Sequence, residues 1–324
     1  MGQEAGEKWT AAVDLQPMFP KSDRLLGLGI AAGLGAGALW GMVFVAPRLA
    51  PGLSAVDLTA GRFASYGLMA ALMMVFGRRS HSWPSWRQAA TALGLSLLGA
   101  TGYYLLLAQS IGAAGSEVPT LIIGTIPIWV MLLGKPLGLK WSALLPGLVL
   151  TVAGLILMMQ TTLTQAHAQP LAGHGFWWGV LLALAAMVSW TAFALLNGAW
   201  LKRNPQISVA EWANWLGLAT GVGAVLLWLV AGSETKVLLA QEGKGLAAIA
   251  CVATGVGSGW AGSLLWNLAS RRLSMSLAGQ LIVSETLCGL LFSFAWDAAW
   301  PTAYQWLAVV LFTLGILMSI RAHR

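Results

Sequence analysis

Charge is what this chain has least of. Asp, Glu, Lys and Arg make up 9% of its 324 residues, against 58% hydrophobic residues and a mean hydropathy of +0.75. A water-soluble fold needs charged surface to stay dispersed, and there is too little here to coat one. Cysteine is nearly absent. Cys251 and Cys288 both lie inside apolar runs and read as small packing residues, not as a disulfide. The four histidines (His81, His167, His174, His323) are scattered in loops and at the tail. No pair has metal-ligand spacing, so no metal or other cofactor is expected. The first two dozen residues mix acids with Lys8 and Lys21 and lack the apolar core of a cleavable signal. They read as a cytoplasmic tail. The net charge of +7 is accounted for by loop Lys and Arg, which excludes a nucleic-acid partner.

What the chain has in abundance is apolar runs of about twenty residues, the length that crosses a hydrocarbon core of about 30 Å as a helix. They fall at 25–46, 55–76, 89–110, 113–134, 143–161, 176–199, 209–231, 245–269, 277–296 and 304–321. Within a bilayer every backbone amide must be satisfied internally, and runs this long exclude barrel strands. The predicted fold is an all-α membrane protein of ten transmembrane helices. With the N-terminus inside, fourteen of the eighteen Lys and Arg fall in inside loops. Three (Arg48, Lys236, Lys244) fall outside, and Arg62 lies within a span. That asymmetry predicts a multi-pass protein of the inner (plasma) membrane with both termini cytoplasmic.

The chain also repeats. Trp40 in Ala38-Leu-Trp-Gly-Met-Val-Phe44 answers Trp190 in Val188-Ser-Trp-Thr-Ala-Phe193, and Ser54-Ala-Val-Asp-Leu58 answers Ser208-Val-Ala-Glu-Trp212. The expected organisation is a tail at 1–23, a first five-helix repeat at 24–162, an external linker at 163–175 and a second repeat at 176–324. Five is odd, so the second repeat enters the membrane inverted. Inverted repeats suit alternating access around one site at their interface.

With these halves, Trp40 in helix 1, Pro127 in helix 4 and Ser284-Glu-Thr286 in helix 9, residues 24–321 resemble the drug/metabolite transporter superfamily in its EamA-type form. Within it the chain looks most like the YddG-type exporters of aromatic amino acids. The resemblance implies a transporter and not an enzyme. Thr286 stands where the family often has proline, a departure that removes the ground for arguing from a break in helix 9.

Several residues are candidates for the solute path. Glu285 lies about 12 Å into helix 9 at 1.5 Å per residue. A carboxylate there carries a proton, binds an ammonium, or is a protonated structural group, and the functional readings are favoured. For Arg62 the favoured reading is an arginine reaching outward toward Asp57, ahead of a substrate-carboxylate contact. Asp57, Glu117 and Glu211 start helices and complement their dipoles. Trp40 lies fifteen residues into helix 1 and Trp190 fourteen into helix 6, which in inverted halves puts one toward the outside and one toward the inside. They are either paired gates or ordinary packing groups. Pro119 and Pro127 kink helix 4 and free carbonyls near Thr125. Gly257-Ser-Gly259-Trp-Ala-Gly262 matches a dinucleotide fingerprint but sits within a membrane helix, where small residues mean close packing.

The expected function is export of small amphipathic metabolites, aromatic or bulky neutral amino acids, by alternating access. The cavity, between helices 1, 3, 4, 6, 8 and 9, is expected to use Trp40, Phe44, Tyr103, Thr125, Pro127, Trp190, Trp260, Gln280, Ser284 and Glu285. The expected partners are the amino acid and the lipid bilayer, with the chain acting as a monomer. Two rivals stay open. One is another solute on the same fold, such as a nucleobase, cationic drug or phosphosugar. The other is a non-transport membrane enzyme or sensor.

Overall fold

A computed structural model of the chain describes residues 21–77, 83–115, 117–165, 174–298 and 300–324, with no side-chain description at 21–23, 117, 161–165, 174 and 297. Most of the tail 1–23, most of the linker 163–175, Arg78, Arg79, His81, His167 and the Glu117 side chain therefore lie outside the described residues.

The described residues are helical throughout. Nine helices are long and apolar enough to cross a membrane: α1 (Arg24–Leu49), α2 (Ala55–Phe76), α3 (Trp86–Ala114), α5 (Trp141–Gln160), α6 (Gly175–Arg203), α7 (Val209–Ala231), α8 (Lys244–Arg272), α9 (Met275–Trp296) and α10 (Ala303–Ala322). Between α3 and α5 runs a shorter apolar helix, α4 (Val118–Leu133). The run expected at 113–134 thus begins later, because Gly115, at φ 76°, ends α3 in a conformation that side chains resist.

Helix starts are written into the sequence. The Ser54 hydroxyl accepts from the Asp57 amide at 3.1 Å, and Ser208 does the same for Glu211 at 3.1 Å. Glu211 returns the bond to the Ser208 amide at 2.9 Å. These caps satisfy amides that the first helical turn leaves without partners. The same device therefore opens both α2 and α7.

Helix neighbours follow a regular scheme. α2 lies along α7 and α5 along α10. α1 packs on α8 and α9, α6 packs on α3 and α4, and α4 also meets α9. Exchanging each helix for the one five places along leaves these pairings unchanged. The α2–α7 crossing is close enough that a Cβ on Gly67 would sit 2.6 Å from the Gly221 Cα, so only hydrogen fits there.

Four of the helices are irregular. α1 tightens into a 3-10 turn at Met42–Phe44 before its last helical turn at Ala46–Leu49. α3 contains a π-helical turn at Leu97–Thr101, and α8 contains one at Gly255–Ala261. Each begins eleven residues after the start of its 29-residue helix. In a π turn the i→i+4 bond is skipped, and a carbonyl is left for another donor. The Gly102 amide bonds back to Leu97, and the passed-over Leu98 carbonyl takes the Ser189 hydroxyl of α6 at 2.7 Å. In α8 the Gly262 amide bonds to Gly257 and Gly259, and the passed-over Ser258 carbonyl takes the Trp40 indole of α1 at 3.1 Å. α4 breaks outright at Thr125, between Glu117–Gly124 and Ile126–Leu133. Pro127 cannot donate to Ile123, and the Thr125 hydroxyl turns back onto the Ile122 carbonyl at 2.7 Å. α9, with Thr286 and no proline, runs unbroken.

Candidate functional site

The irregular turns of α3, α4 and α8 all border one cavity of about 520 Å³, within the ~300–1,000 Å³ typical of small-molecule sites. Its walls include Trp40 and Phe44 of α1, Arg62 of α2, Thr125 of α4, and Glu285 and Ser293 of α9. These positions set it toward the end of the bundle where α1 finishes and α2 begins. The opposite end, where α1 starts and α10 finishes, is shut. There Leu201, Ile207, Leu273 and Met275 are buried. The Lys202 ammonium donates to the Leu273 carbonyl at 2.7 Å, Arg271 to the Ile207 carbonyl at 2.5 Å, and the Ser276 amide to the Gly134 carbonyl at 3.0 Å.

Toward its shut end the cavity meets three indoles. Trp40 and Trp190 lie edge to face with ring centroids 6.1 Å apart, and Trp266 lies 5.5 Å from Trp40 and 6.1 Å from Trp190. Higher on the wall Tyr103, Tyr104 and Phe63 form an edge-to-face series, at 5.4 Å and 5.3 Å. Such ring pairs are worth about 0.5–1.5 kcal/mol each beyond their burial.

Two opposite charges face this aromatic space. The Arg62 guanidinium carbon lies 4.8 Å from the Tyr104 ring centre and 5.1 Å from that of Phe63. The ring faces supply negative potential but leave its N–H donors without acceptors. Glu285 is on the wall too, within electrostatic reach of Arg62 and Tyr103. The two do not form an ion pair, and neither has a hydrogen-bonding partner among the described residues.

The expected link from Arg62 toward Asp57 is not made. Asp57 is saturated instead: Ser54 and Ser233 hydroxyls each donate to it at 2.6 Å, and the Ser233 amide at 2.9 Å. It lies on a second cavity, about 350 Å³, between α2, α7 and α8. That cavity offers no free carboxylate, since Asp57 is already bonded.

Of the residues expected on the path, Trp40, Phe44, Tyr103, Thr125, Pro127, Trp190 and Glu285 border the large cavity. Three expectations need correcting. Trp260 turns away and donates to the Asn214 side chain of α7 at 2.8 Å. Gln280 is fully buried between α5 and α10, donating to Thr151 at 2.8 Å and accepting from Ser319 at 3.2 Å. Ser284 bonds the Leu281 carbonyl at 2.6 Å and faces Gly37 of α1. Each stands one or two residues from one that does reach the cavity (Gly259, Ile282 and Glu285), and the axial rotation of a helix is invisible in an all-apolar stripe. Arg62, read as reaching outward, lies on the wall instead, and Tyr104 and Trp266 are among the wall residues that the sequence did not single out. A charge within the second span was the available signal for Arg62. Trp40 and Trp190, expected toward opposite faces, instead meet edge to face. α2, α5 and α7 also contribute walls, through Tyr66, Met158 and Thr220. The glycines of the 257–262 segment have packing roles: Gly259 lies under Tyr66 and Gly262 under Trp40.

The EamA-like transporter family matches residues 177–321. The chain is 32% identical over 311 residues to the inner membrane protein YtfF of Escherichia coli (strain K12), covering 91% of this chain and 95% of that protein. This chain belongs to the EamA-like transporter family. A crystal structure at 18% identity shares the fold, with a TM-score of 0.72 over 90% of this chain and 97% of that one. The protein is a multi-pass membrane transporter related to YtfF, not an enzyme. Among the described residues no three His, Cys, Asp or Glu side chains group as metal ligands.

Proposed function

We propose that this EamA-family transporter exports small amphipathic metabolites, aromatic and bulky neutral amino acids, across the inner membrane by alternating access. The observation that carries the reading is the cavity itself: largely apolar, with a Trp cluster and a Tyr–Phe series on its walls, one unpaired guanidinium and one unpaired carboxylate among the described residues. Apolar side chains gain about 25 cal/mol per Å² buried against such walls. A phosphosugar would call for several cations, and the wall offers Arg62 alone. This chemistry supports the resemblance to aromatic amino acid exporters drawn from the sequence.

Alternating access is supported by the helix scheme. Pairings that survive a shift of five helices, matching caps on α2 and α7, and π turns at one depth in α3 and α8 fit two inverted five-helix repeats, at 24–162 and 176–324. With both termini cytoplasmic, the cavity is open outward. The shut end holds buried polar atoms without partners among the described residues, including Asn267 Nδ2, Ser270 Oγ and Ser276 Oγ. Each such atom costs about 1–3 kcal/mol. Water or solute would relieve that cost in a state open to the other side.

Counterflow in proteoliposomes tests the reading. Vesicles loaded with unlabelled phenylalanine should accumulate labelled phenylalanine and tryptophan, and little labelled serine. No uptake of any amino acid, with nucleobases or cationic drugs taken up instead, would transfer the site to another solute class.

A further inference from the structure

Arg62 and Glu285 are a carboxylate and a guanidinium on one cavity wall system that do not satisfy each other. That is an unusual arrangement for a membrane interior. A charge within a span is normally paired, or turned to an interface. Arg62 had an interface carboxylate near by in sequence, Asp57, but Ser54 and Ser233 occupy it. Its guanidinium lies over Tyr104 and Phe63 instead. Those rings hold its position without offering its N–H donors an acceptor, and Arg62 borders the cavity. Tyr103 lies edge to face with Tyr104 and within electrostatic reach of both charges. A direct salt bridge would have cancelled the two charges and closed the space. Unpaired, the two opposite charges border one cavity of about 520 Å³ and stay available to a solute within it.

We propose that Arg62 and Glu285 form a two-pole clamp for the zwitterionic head of an α-amino acid. Arg62 takes the carboxylate and Glu285 the ammonium, while the side chain lies against Trp40, Trp190 and Trp266. The clamp rests on the amino-acid reading above and adds that both charged groups of the solute are required. The guanidinium edge matches a carboxylate with two parallel N–H···O bonds, and an ammonium meets a carboxylate through charge-assisted bonds. A solute lacking either group leaves one pole unpaired against it. Losing one such bond costs roughly 10- to 100-fold in affinity.

The test uses the whole protein in proteoliposomes and counterflow of labelled phenylalanine. Unlabelled phenylalanine, phenethylamine (no carboxylate) and 3-phenylpropionate (no ammonium) compete. With the unaltered protein, both analogues should compete roughly 10- to 100-fold more weakly than phenylalanine. Arg62→Gln should bring phenethylamine level with phenylalanine, and Glu285→Gln should do so for 3-phenylpropionate. Arg62→Lys and Glu285→Asp keep the charges and should keep the discrimination, which separates recognition from misfolding. Equal competition by all three with the unaltered protein would overturn the clamp and leave amino-acid transport standing. Strong competition by phenethylamine alone would reduce the site to a cation site at Glu285 and overturn it as well. Failure of phenylalanine either to exchange or to raise the melting temperature would remove the amino-acid reading and the clamp together.

Discussion

Trp40 and Trp190 meet edge to face, ring centroids 6.1 Å apart at 83°, although they stand on different halves of the chain. The Trp40 indole is also tied to the Ser258 carbonyl at 3.1 Å. A shared contact of this kind couples the two residues energetically. Trp40→Ala and Trp190→Ala should each reduce counterflow of phenylalanine and tryptophan more than that of threonine. Because the rings touch, the double variant should lose less than the sum, by about 0.5–1.5 kcal/mol. Equal losses for every solute would assign the pair to gating alone.

Glu285 makes no hydrogen bond among the described residues, so replacing it removes no structural bond. Glu285→Gln should express and melt like the parent protein in detergent while phenylalanine counterflow falls. If the residue instead carries the coupling proton, exchange should persist and only uptake driven by a pH gradient should disappear. A fall in yield and melting temperature would make it a structural group.

The break in α4 depends on Pro127, which denies Ile123 a donor. Pro127→Ala restores that amide and should allow the helix to run through Thr125. The variant should fold at least as well as the parent but turn over more slowly, with substrate-induced stabilisation retained. Unchanged turnover would show that the break has no part in the cycle.

Gly37 is where α1 crosses α9. A Cβ there would overlap the Ser284 hydroxyl and sit 2.8 Å from the Glu285 amide. Gly37→Ala should therefore destabilise by about 1–3 kcal/mol, read as a lower melting temperature. Adding Ser284→Ala should restore only part of the loss, because the backbone contact remains.

Orientation is checked by single cysteines placed after removal of Cys251 and Cys288. Leu137→Cys and Gln206→Cys should react with an impermeant thiol reagent only from the cytoplasmic side, and Lys236→Cys only from outside. All three side chains are exposed. Reversed labelling of Gln206→Cys alone would contradict the inverted second half.

The membrane class and the positions of the helices could be read from the sequence alone. Both follow from local quantities: the length of apolar runs, the acids Asp57 and Glu211 at helix starts, and the placement of Lys and Arg. Pro127 likewise signalled a disturbed α4. What the tertiary structure decided is which side of each helix faces the cavity. Residues 280, 284 and 285 all lie within two turns of α9, yet Gln280 bonds Thr151, Ser284 packs on Gly37, and Glu285 alone reaches the solute space. In lipid the outer surface of a helix is as apolar as its packed face, so the amphipathic stripe that would reveal rotation in a soluble protein is missing. The partners of Arg62 were hidden for a related reason. Asp57 is five residues away in the chain, but Ser233, which claims it, comes from the other half and is brought there only by the packing of α2 on α7.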